Sequence, residues 1–270
     1  QSITADWNIS VLGNLTLTRN KTTYVEEPEY PYPWRYSIGR MINQPFGYIA
    51  ERLFVDDQEA ANSPLQSFGN YLPMGGDIKY RDVNNDGVIN QNDMVPIGLP
   101  STPQVIYGFG FSVSYKNFDL SAFFQGSARS SFFIDPTSVT DFNKGVYGTA
   151  PLANNAQILK AYADDHWSEE NQNLYALWPR LSVYDIPNNQ QLSTWWLRDG
   201  SFIRLKSVEA GYTLPKRWSR KVYMDNVRFY FSGLNLLTFS KFKLWDPELA
   251  GNGFAYPVQK VVNLGLKFNF

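Results

Sequence analysis

The chain is built from short segments in which apolar and polar residues alternate with a period of two. In the last segment Val262, Leu264, Leu266, Phe268 and Phe270 are apolar, and small or polar residues separate them. Because successive side chains of a β-strand point to opposite faces, this alternation predicts a strand with one fully apolar face. Five apolar positions that end on an aromatic residue favour a lipid-facing strand over an edge strand of a soluble β-sandwich.

The same alternation recurs upstream, and residues 104–126 read as a hairpin around a tight turn. The polar positions hold mainly Asn, Ser, Thr and Gly, which indicates a face in contact with water rather than a dry core. We therefore predict an all-β fold whose strands cover residues 3–18, 104–115, 118–126, 201–214, 227–238 and 258–270.

The connections between these strands alternate between short and long. Brief turns at 116–117 and 215–226 alternate with long segments at 19–103, 127–200 and 239–257. Loops longer than about 15 residues are uncommon in compact domains. Outer-membrane barrels, in contrast, combine short periplasmic turns with long extracellular loops. The pattern predicts part of an antiparallel transmembrane β-barrel with its long loops outside the cell and its C-terminus in the periplasm.

Six strands are too few to close such a barrel, since known examples have about eight or more. An open sheet edge in lipid leaves backbone N–H and C=O groups unpaired, at a cost of several kcal/mol each. We therefore expect a fragment, or a sheet completed by strands from elsewhere. The first residues, 1–4, have neither the basic region nor the apolar stretch of a signal peptide.

The composition excludes several kinds of chemistry. There are 24 Lys and Arg against 25 Asp and Glu, so a net charge of −1 offers no general attraction for nucleic acid. The absence of Cys excludes disulfides and thiolate metal sites, and the single His166 excludes a multi-histidine zinc site. Adjacent acidic pairs such as Asp56 and Asp57 point in different directions. We predict that the chain is not an enzyme.

One motif has a defined chemistry. Residues 82–93, with the sequence DVNNDGVINQND, match the calcium-loop pattern D-x-[DN]-x-[DN]-G with an acidic residue at position twelve. Oxygen ligands at this spacing converge on a hard cation, and the glycine permits the sharp turn. The alternative is a polar surface turn. We expect a structural Ca²⁺, or Mg²⁺, in a long loop; the predicted ligands are Asp82, Asn84, Asp86, the carbonyl of Val88, and Asp93.

Several segments from residue 76 to the C-terminus also form a recognisable series. They include Gly76–Asp82 ahead of the Asp-rich loop, Phe118–Gly126, Trp196–Lys206 and Gly211–Pro215. Together they resemble the C-terminal part of the SusC/RagA-type TonB-linked outer-membrane transporters of Bacteroidetes. Residues 19–75 resemble that family least.

This resemblance implies a 22-stranded barrel, of which the chain would supply the last strands. The plug domain, the TonB-contacting region and the remaining strands would lie outside this chain. The family imports glycan oligosaccharides or peptides with the help of TonB and a SusD-like surface lipoprotein that acts as a lid. The resemblance thus implies nutrient uptake across the bacterial outer membrane.

Two groups of aromatic residues are candidate contacts for the substrate or the lid. One contains Tyr32 and Trp34 among prolines, and the other contains Trp178, Trp195 and Trp196. Their flat faces could stack on sugar rings or pack against the lid. The pattern favours a plainer interpretation, in which these residues pack the long loops together or mark the membrane interface.

Two other classes of function stay open at this level. One is a secreted carbohydrate-binding β-domain with a dockerin-like calcium loop, which would dissolve without detergent. The other is a siderophore-type TonB-dependent receptor, which would lack the lid. Arg198, Arg204 and Lys206, near the start of one strand, could line the lumen or face lipid head groups.

Overall fold

The computed structural model describes residues 2–4, 6–134, 160–251, 253 and 255–270. Its main feature is a seven-stranded sheet in which the strands follow one another in chain order. All neighbouring pairs are antiparallel. The strands are β1 (Ser2–Thr4), β2 (Trp7–Leu17), β3 (Val105–Tyr115), β4 (Phe118–Ala128), β5 (Phe202–Thr213), β6 (Asn226–Ser240) and β7 (Val261–Asn269).

The register places the apolar residues of all the long strands on the same face. Near the short turns, Trp7 lies opposite Tyr115, Tyr115 opposite Phe118, Phe118 opposite Tyr212, and Tyr212 opposite Phe229. The rings of Trp7 and Tyr115 lie 4.4 Å apart, and those of Phe118 and Tyr212 lie 4.5 Å apart. These residues form a continuous aromatic row across the sheet, as in the aromatic girdles of outer-membrane barrels.

No part of the described chain covers this apolar face. Val11 is 79% exposed, Leu15 71%, Leu264 84% and Phe270 85%. A water-soluble protein rarely leaves so large a contiguous apolar surface exposed. The face is therefore suited to contact with hydrocarbon, as the alternation in the sequence predicts.

The opposite face is polar and carries a charged cluster that spans three strands. The guanidinium of Arg228 in β6 lies 2.5 Å from a carboxylate oxygen of Asp119 in β4 and 2.6 Å from one of Glu209 in β5. To reach Asp119 it crosses Gly211, where a Cβ atom would come within 2.4 Å of the guanidinium. The small residues that alternate with apolar ones thus leave room for long polar side chains on this face.

The strand predicted over residues 3–18 is divided in the structure. β1 folds back as an antiparallel partner of β2, with Thr4 opposite Trp7, because the chain reverses at Asp6. Ala5 lies outside the described residues. At the other end, β7 starts at Val261 rather than at 258, and the preceding Pro257 has no N–H to donate to a strand ladder.

The described parts of the long segments fold together above one end of the sheet. We call residues 33–100, 160–200 and 242–250 the loop assembly. Its short strands are Phe46–Gly47, Ala50–Leu53, Leu65–Gln66, Ile78–Tyr80, Val88–Ile89, Val95–Pro96 and Leu197–Asp199, the last paired with Ser131–Phe133.

The helices of the described residues are all short. The α-helices are Asp57–Ala61, Lys160–Asp164 and Lys216–Ser219, and the 3₁₀ turns are Pro33–Arg35, Gln91–Asp93, Pro187–Gln190, Arg220–Val222 and Pro247–Leu249. Among the described residues, none of these helices has the length and apolar content needed to cross a membrane.

A hydrophobic core lies inside the loop assembly rather than in the sheet. Trp178 stacks on Tyr162 with ring centres 3.9 Å apart, and it also contacts Trp196 at 4.6 Å. Residues from well-separated parts of the chain, such as Leu53 and Ile78, complete this core. The described parts of the long segments therefore form a packed unit that is held over the end of the sheet.

Candidate functional site

A buried charged contact joins two of the long segments. The carboxylate of Asp77 is fully buried and accepts hydrogen bonds from Nε of Arg180 at 2.8 Å and from Nδ2 of Asn189 at 2.9 Å. Its other oxygen accepts from the hydroxyl of Tyr71 at 2.7 Å and from the backbone N–H of Met74 at 2.9 Å. Burial raises the pKa of the Tyr71 hydroxyl above its usual range, and the neighbouring Asp77 charge adds to this effect.

Amide side chains extend this contact into a buried network. Gln66 donates to the carbonyl of Ile78 at 3.0 Å and to Asn188 at 2.8 Å, and it accepts from the backbone N–H of Tyr80 at 2.7 Å. The Tyr80 hydroxyl donates to the Asn188 carbonyl at 2.7 Å, and the Trp196 indole donates to the carbonyl of Asn189 at 2.9 Å. Sequence patterns miss this network, because the contacts that join its two halves, such as Tyr80 to Asn188, connect residues more than 100 positions apart.

The Asp-rich loop is closed by hydrogen bonds of its own side chains. Asp82 accepts from the backbone N–H of Asn85 and of Gly87, both at 2.7 Å. Asp86 accepts from the N–H of Val88 at 2.9 Å. Asn85 and Gly87 have φ angles of +60° and +83°, which the tight turn requires.

The remaining predicted ligands lie in different surroundings. Asp93 is fully buried, and its two oxygens accept from the N–H groups of Val83 and Asn90, both at 2.8 Å. Asn84 donates to Asp86 at 2.8 Å. Oxygen donors of this kind fit Ca²⁺ chemically. However, no three acidic or histidine side chains of the described residues converge closely enough to hold a metal ion. The calcium site stays a prediction.

The first aromatic group packs against this same loop. Tyr32 and Trp34 are stacked, with ring centres 4.7 Å apart and an angle of 11° between their planes. The Trp34 indole donates to the carbonyl of Asn92 at 2.7 Å, and Asn84 donates to the hydroxyl of Tyr32 at 3.1 Å. Both rings remain partly exposed. They are anchored to the loop and still offer part of their surface to a partner.

The second aromatic group divides into buried and accessible members. Trp178 and Trp196 are fully buried in the core of the loop assembly. The prediction that these two contact a substrate or a lid is therefore wrong, because packing leaves no ring face free. Trp195 is only partly buried, and its indole N–H has no hydrogen-bond partner among the described residues. Only this member of the group is available to a ligand.

Trp195 lines an open groove of about 440 Å³ on the surface of the loop assembly. Tyr175, which is 71% exposed, and Arg198 line it as well. The guanidinium of Arg198 donates to the carbonyls of Trp195 and Leu197 at 2.6 and 2.9 Å. Burial lowers the pKa of Arg198, and no carboxylate of the described residues forms an ion pair with it. The groove therefore combines aromatic faces with a guanidinium that has no carboxylate partner among the described residues.

Arg204 does not line the lumen as a free cation. It is 1% exposed and forms ion pairs with Asp246 at 2.6 Å and Glu248 at 2.8 Å. These contacts tie the start of β5 to the 3₁₀ turn at Pro247–Leu249. The single histidine is also structural, since Nδ1 of His166 lies 2.8 Å from the carbonyl of Ala163 at the end of a short helix.

Glu59 is the centre of a second ionic contact in the loop assembly. It forms ion pairs with Arg52 and, at 2.9 Å, with Lys79. The hydrogen bond from Arg52 lowers the pKa of Glu59 from 4.5 to about 2, against the opposing effect of burial, and the Val55 N–H contributes in the same direction. A lowered pKa means that the contact stabilises the fold above pH 4.5 and that this contribution is lost as the pH falls toward 2.

Lowering the pH from 6 to 3 should therefore reduce the protection factors of the strand Ala50–Leu53, which carries Arg52; a protection factor is the intrinsic amide exchange rate at each pH divided by the observed rate. The variant Glu59→Gln should show lower protection factors at pH 6 and a weaker pH dependence of these factors. Glu169→Gln, at an exposed carboxylate, is the matched control and should behave like the unmodified protein. Equal pH dependence in Glu59→Gln and in the unmodified protein would contradict the assignment.

An antiparallel sheet with one exposed apolar face and one polar face is characteristic of outer-membrane β-barrel proteins, and this is the class to which the fold assigns the chain. No protein-family profile matches the chain. It is 34% identical over 214 residues to TonB-dependent receptor P26 of Formosa agariphila, a match that covers 72% of this chain and 20% of that protein. It is 24% identical over 281 residues to TonB-dependent receptor SusC of Bacteroides thetaiotaomicron, covering 99% of this chain and 25% of SusC.

The fold agrees with these similarities. A solved structure of the RagAB peptide importer in the open–open state superposes with a TM-score of 0.61 at 22% identity, covering 100% of this chain and 27% of that one. The chain spans only 20% to 25% of the length of the two curated relatives. It belongs to the SusC/RagA-like TonB-dependent receptors and corresponds to a portion of such a receptor.

Proposed function

We propose that this chain forms the C-terminal wall and the extracellular loop assembly of an outer-membrane nutrient importer. The observation that carries the proposal is the apolar face of the sheet, which is in register across the long strands and exposed along its length. Hydrocarbon on that side and water on the other give the two faces the solvents that their side chains require. The curated relatives are receptors rather than enzymes, which agrees with a role without covalent chemistry.

The proposed cargo is a glycan oligosaccharide or a peptide, and the proposed partner is a SusD-like surface lipoprotein over the loop assembly. Energy would come from TonB through parts of the receptor outside this chain. Within this chain, the groove around Trp195 supports a cargo or lid contact, because the partly exposed ring and the guanidinium of Arg198, which has no carboxylate partner among the described residues, both line it. Aromatic stacking and planar polar side chains suit both sugar rings and peptide groups.

The intact receptor should fractionate with the outer membrane, and its deletion should abolish uptake of labelled oligosaccharides or of labelled peptides. An uncoupler of the proton-motive force should have the same effect. Trp195→Ala should reduce uptake several-fold through lost stacking. Tyr256→Ala, at a residue that is 78% exposed and outside the groove, is the control. Recovery of the intact receptor in the soluble fraction would overturn the proposal.

We also propose that the loop at residues 82–93 binds a structural Ca²⁺ through Asp82, Asn84, Asp86, the Val88 carbonyl and Asp93. Support comes from the oxygen-only donor set and the glycine at the turn. Removing calcium with EDTA should increase trypsin cleavage within residues 60–100, because the trypsin sites of this range, Lys79 and Arg81, would become accessible when the loop loosens. Added Ca²⁺ should restore protection.

The double variant Asp82→Ala with Asp86→Ala should be cleaved rapidly with or without EDTA. Replacing Asp56, an acidic residue of a helix cap outside the motif, with alanine should leave the EDTA response in place. Cleavage of the unmodified receptor that does not respond to EDTA would rule out the ion.

A further inference from the structure

A groove of about 720 Å³ interrupts the apolar face of the sheet. Its floor is Ala210 in β5, which lies between Leu120 of β4 and Phe231 of β6 in the strand register. Because alanine ends at Cβ, the larger neighbours form walls around it. The walls are formed by Phe118, Tyr212, Phe229, Phe231, Leu264 and Leu266. The groove is thus a feature of the face that is proposed to touch lipid.

The groove lies next to a strongly basic turn. Tyr212 and Phe229 belong to the two strands that residues 214–225 connect, so only a few residues, roughly 10–15 Å of chain, separate the groove from the turn. This turn contains one acidic residue and four exposed basic ones, which are Lys216, Arg217, Arg220 and Lys221. In the described structure, none of the four forms an ion pair with a carboxylate.

The same turn presents exposed aromatic side chains. Trp218 is 59% exposed and Tyr223 is 93% exposed. Side chains with an apolar ring and a polar tip are favoured at the boundary between hydrocarbon and lipid head groups. Lys116, in the neighbouring short turn and two residues before Phe118, adds one further positive charge, and its ammonium lies 5.2 Å from the ring centre of Tyr115. Along the strands toward the short turns, the apolar groove is therefore followed by exposed aromatic side chains and then by positive charge.

We propose that the groove and the basic turn together bind one anionic phospholipid, with an acyl chain against Ala210 and the phosphate beside the basic side chains. This inference rests on the proposed function, because it requires the sheet to lie in a membrane with the short turns at the periplasmic leaflet. Charge complementarity selects an anionic phospholipid over a neutral one. An acyl chain fits a concave surface that is almost entirely apolar, since the hydroxyls of Tyr212 and Tyr230 are the polar side-chain groups of its lining residues.

Native mass spectrometry of the delipidated intact receptor, titrated with dioleoyl-phosphatidylglycerol or dioleoyl-phosphatidylcholine, tests the proposal. Phosphatidylglycerol should bind at least tenfold more tightly. Changing all four basic residues to glutamine should remove this preference, since each charge near a lipid surface contributes about fivefold. Ala210→Trp, which fills the groove, should weaken binding of both lipids. Glycerol 3-phosphate without acyl chains should not compete.

The matched control removes basic charge elsewhere, through Lys241→Gln with Lys243→Gln at exposed positions after β6. This control should keep the preference for phosphatidylglycerol. If the fourfold variant does not assemble, the single variants Arg217→Gln and Lys221→Gln should each weaken phosphatidylglycerol binding about fivefold. Equal affinity for both lipids, or full competition by glycerol 3-phosphate, would overturn the proposal even in a receptor that sits in the outer membrane and imports its cargo. Loss of membrane location would instead count against the proposed function.

Discussion

Replacing Asp77 with asparagine should open the loop assembly more than any exposed substitution in it. The change keeps the shape of the side chain but removes the charge that pairs with Arg180 at 2.8 Å. It also places an amide among donors from Tyr71, Met74 and Asn189 that now bond to carboxylate oxygens. Removing one partner of a buried ion pair typically costs about 3–5 kcal/mol.

The effect of Asp77→Asn should be measured as the free energy of local opening, from native-state hydrogen exchange of residues 76–80 in the intact receptor. The control is Glu51→Gln, which removes the exposed partner of Arg81 at 3.1 Å and should change this free energy by less than about 1 kcal/mol. Similar exchange in the two variants would show that the buried pair does not hold the two long segments together.

The second large effect is expected at Leu264, which is 84% exposed on the apolar face and opposite Phe231. Leu264→Arg places a charge where hydrocarbon is expected, at a cost of about 2–4 kcal/mol near the middle of the bilayer. The neighbouring Asn263 has its side chain on the polar face, opposite Ser232, so Asn263→Arg should cost much less.

The two arginine variants should be compared by the amount of assembled receptor in the outer membrane and by resistance of the folded barrel to denaturant. Leu264→Arg should reduce both strongly, whereas Asn263→Arg should leave both near the level of the unmodified receptor. If the two variants behaved alike, the assignment of the two faces to lipid and water would fail.

The strands of the sheet could be predicted from the sequence, because the pattern that specifies each strand lies in residues that are neighbours along the chain. The alternation of Leu264 and Leu266 with Asn263 and Gly265 specifies which side chains share a face, and the turn at 116–117 specifies a hairpin. The exact strand ends could not be predicted as well from the sequence, since the reversal at Asp6 depends on how β1 pairs with β2.

The candidate contacts show the limit of that local information. Trp195 and Trp196 are adjacent in the sequence, yet one lines a surface groove and the other is fully buried. No pattern separates them, because burial of Trp196 depends on Trp178 and on the carbonyl of Asn189. Asp77, likewise, stands in the sequence as an ordinary acidic residue before a short strand.

The sequence by itself determined the all-β class, the two faces of the sheet, and the Asp- and Asn-rich loop. Each of these follows from the spacing of neighbouring residues and from the solvents that their side chains require. Only the tertiary structure decided which aromatic side chains are accessible, that Asp77 pairs with Arg180, and that Ala210 forms the floor of a groove beside four basic residues. These arrangements depend on contacts between segments that are distant along the chain. The alternation of residues along one strand does not specify such contacts.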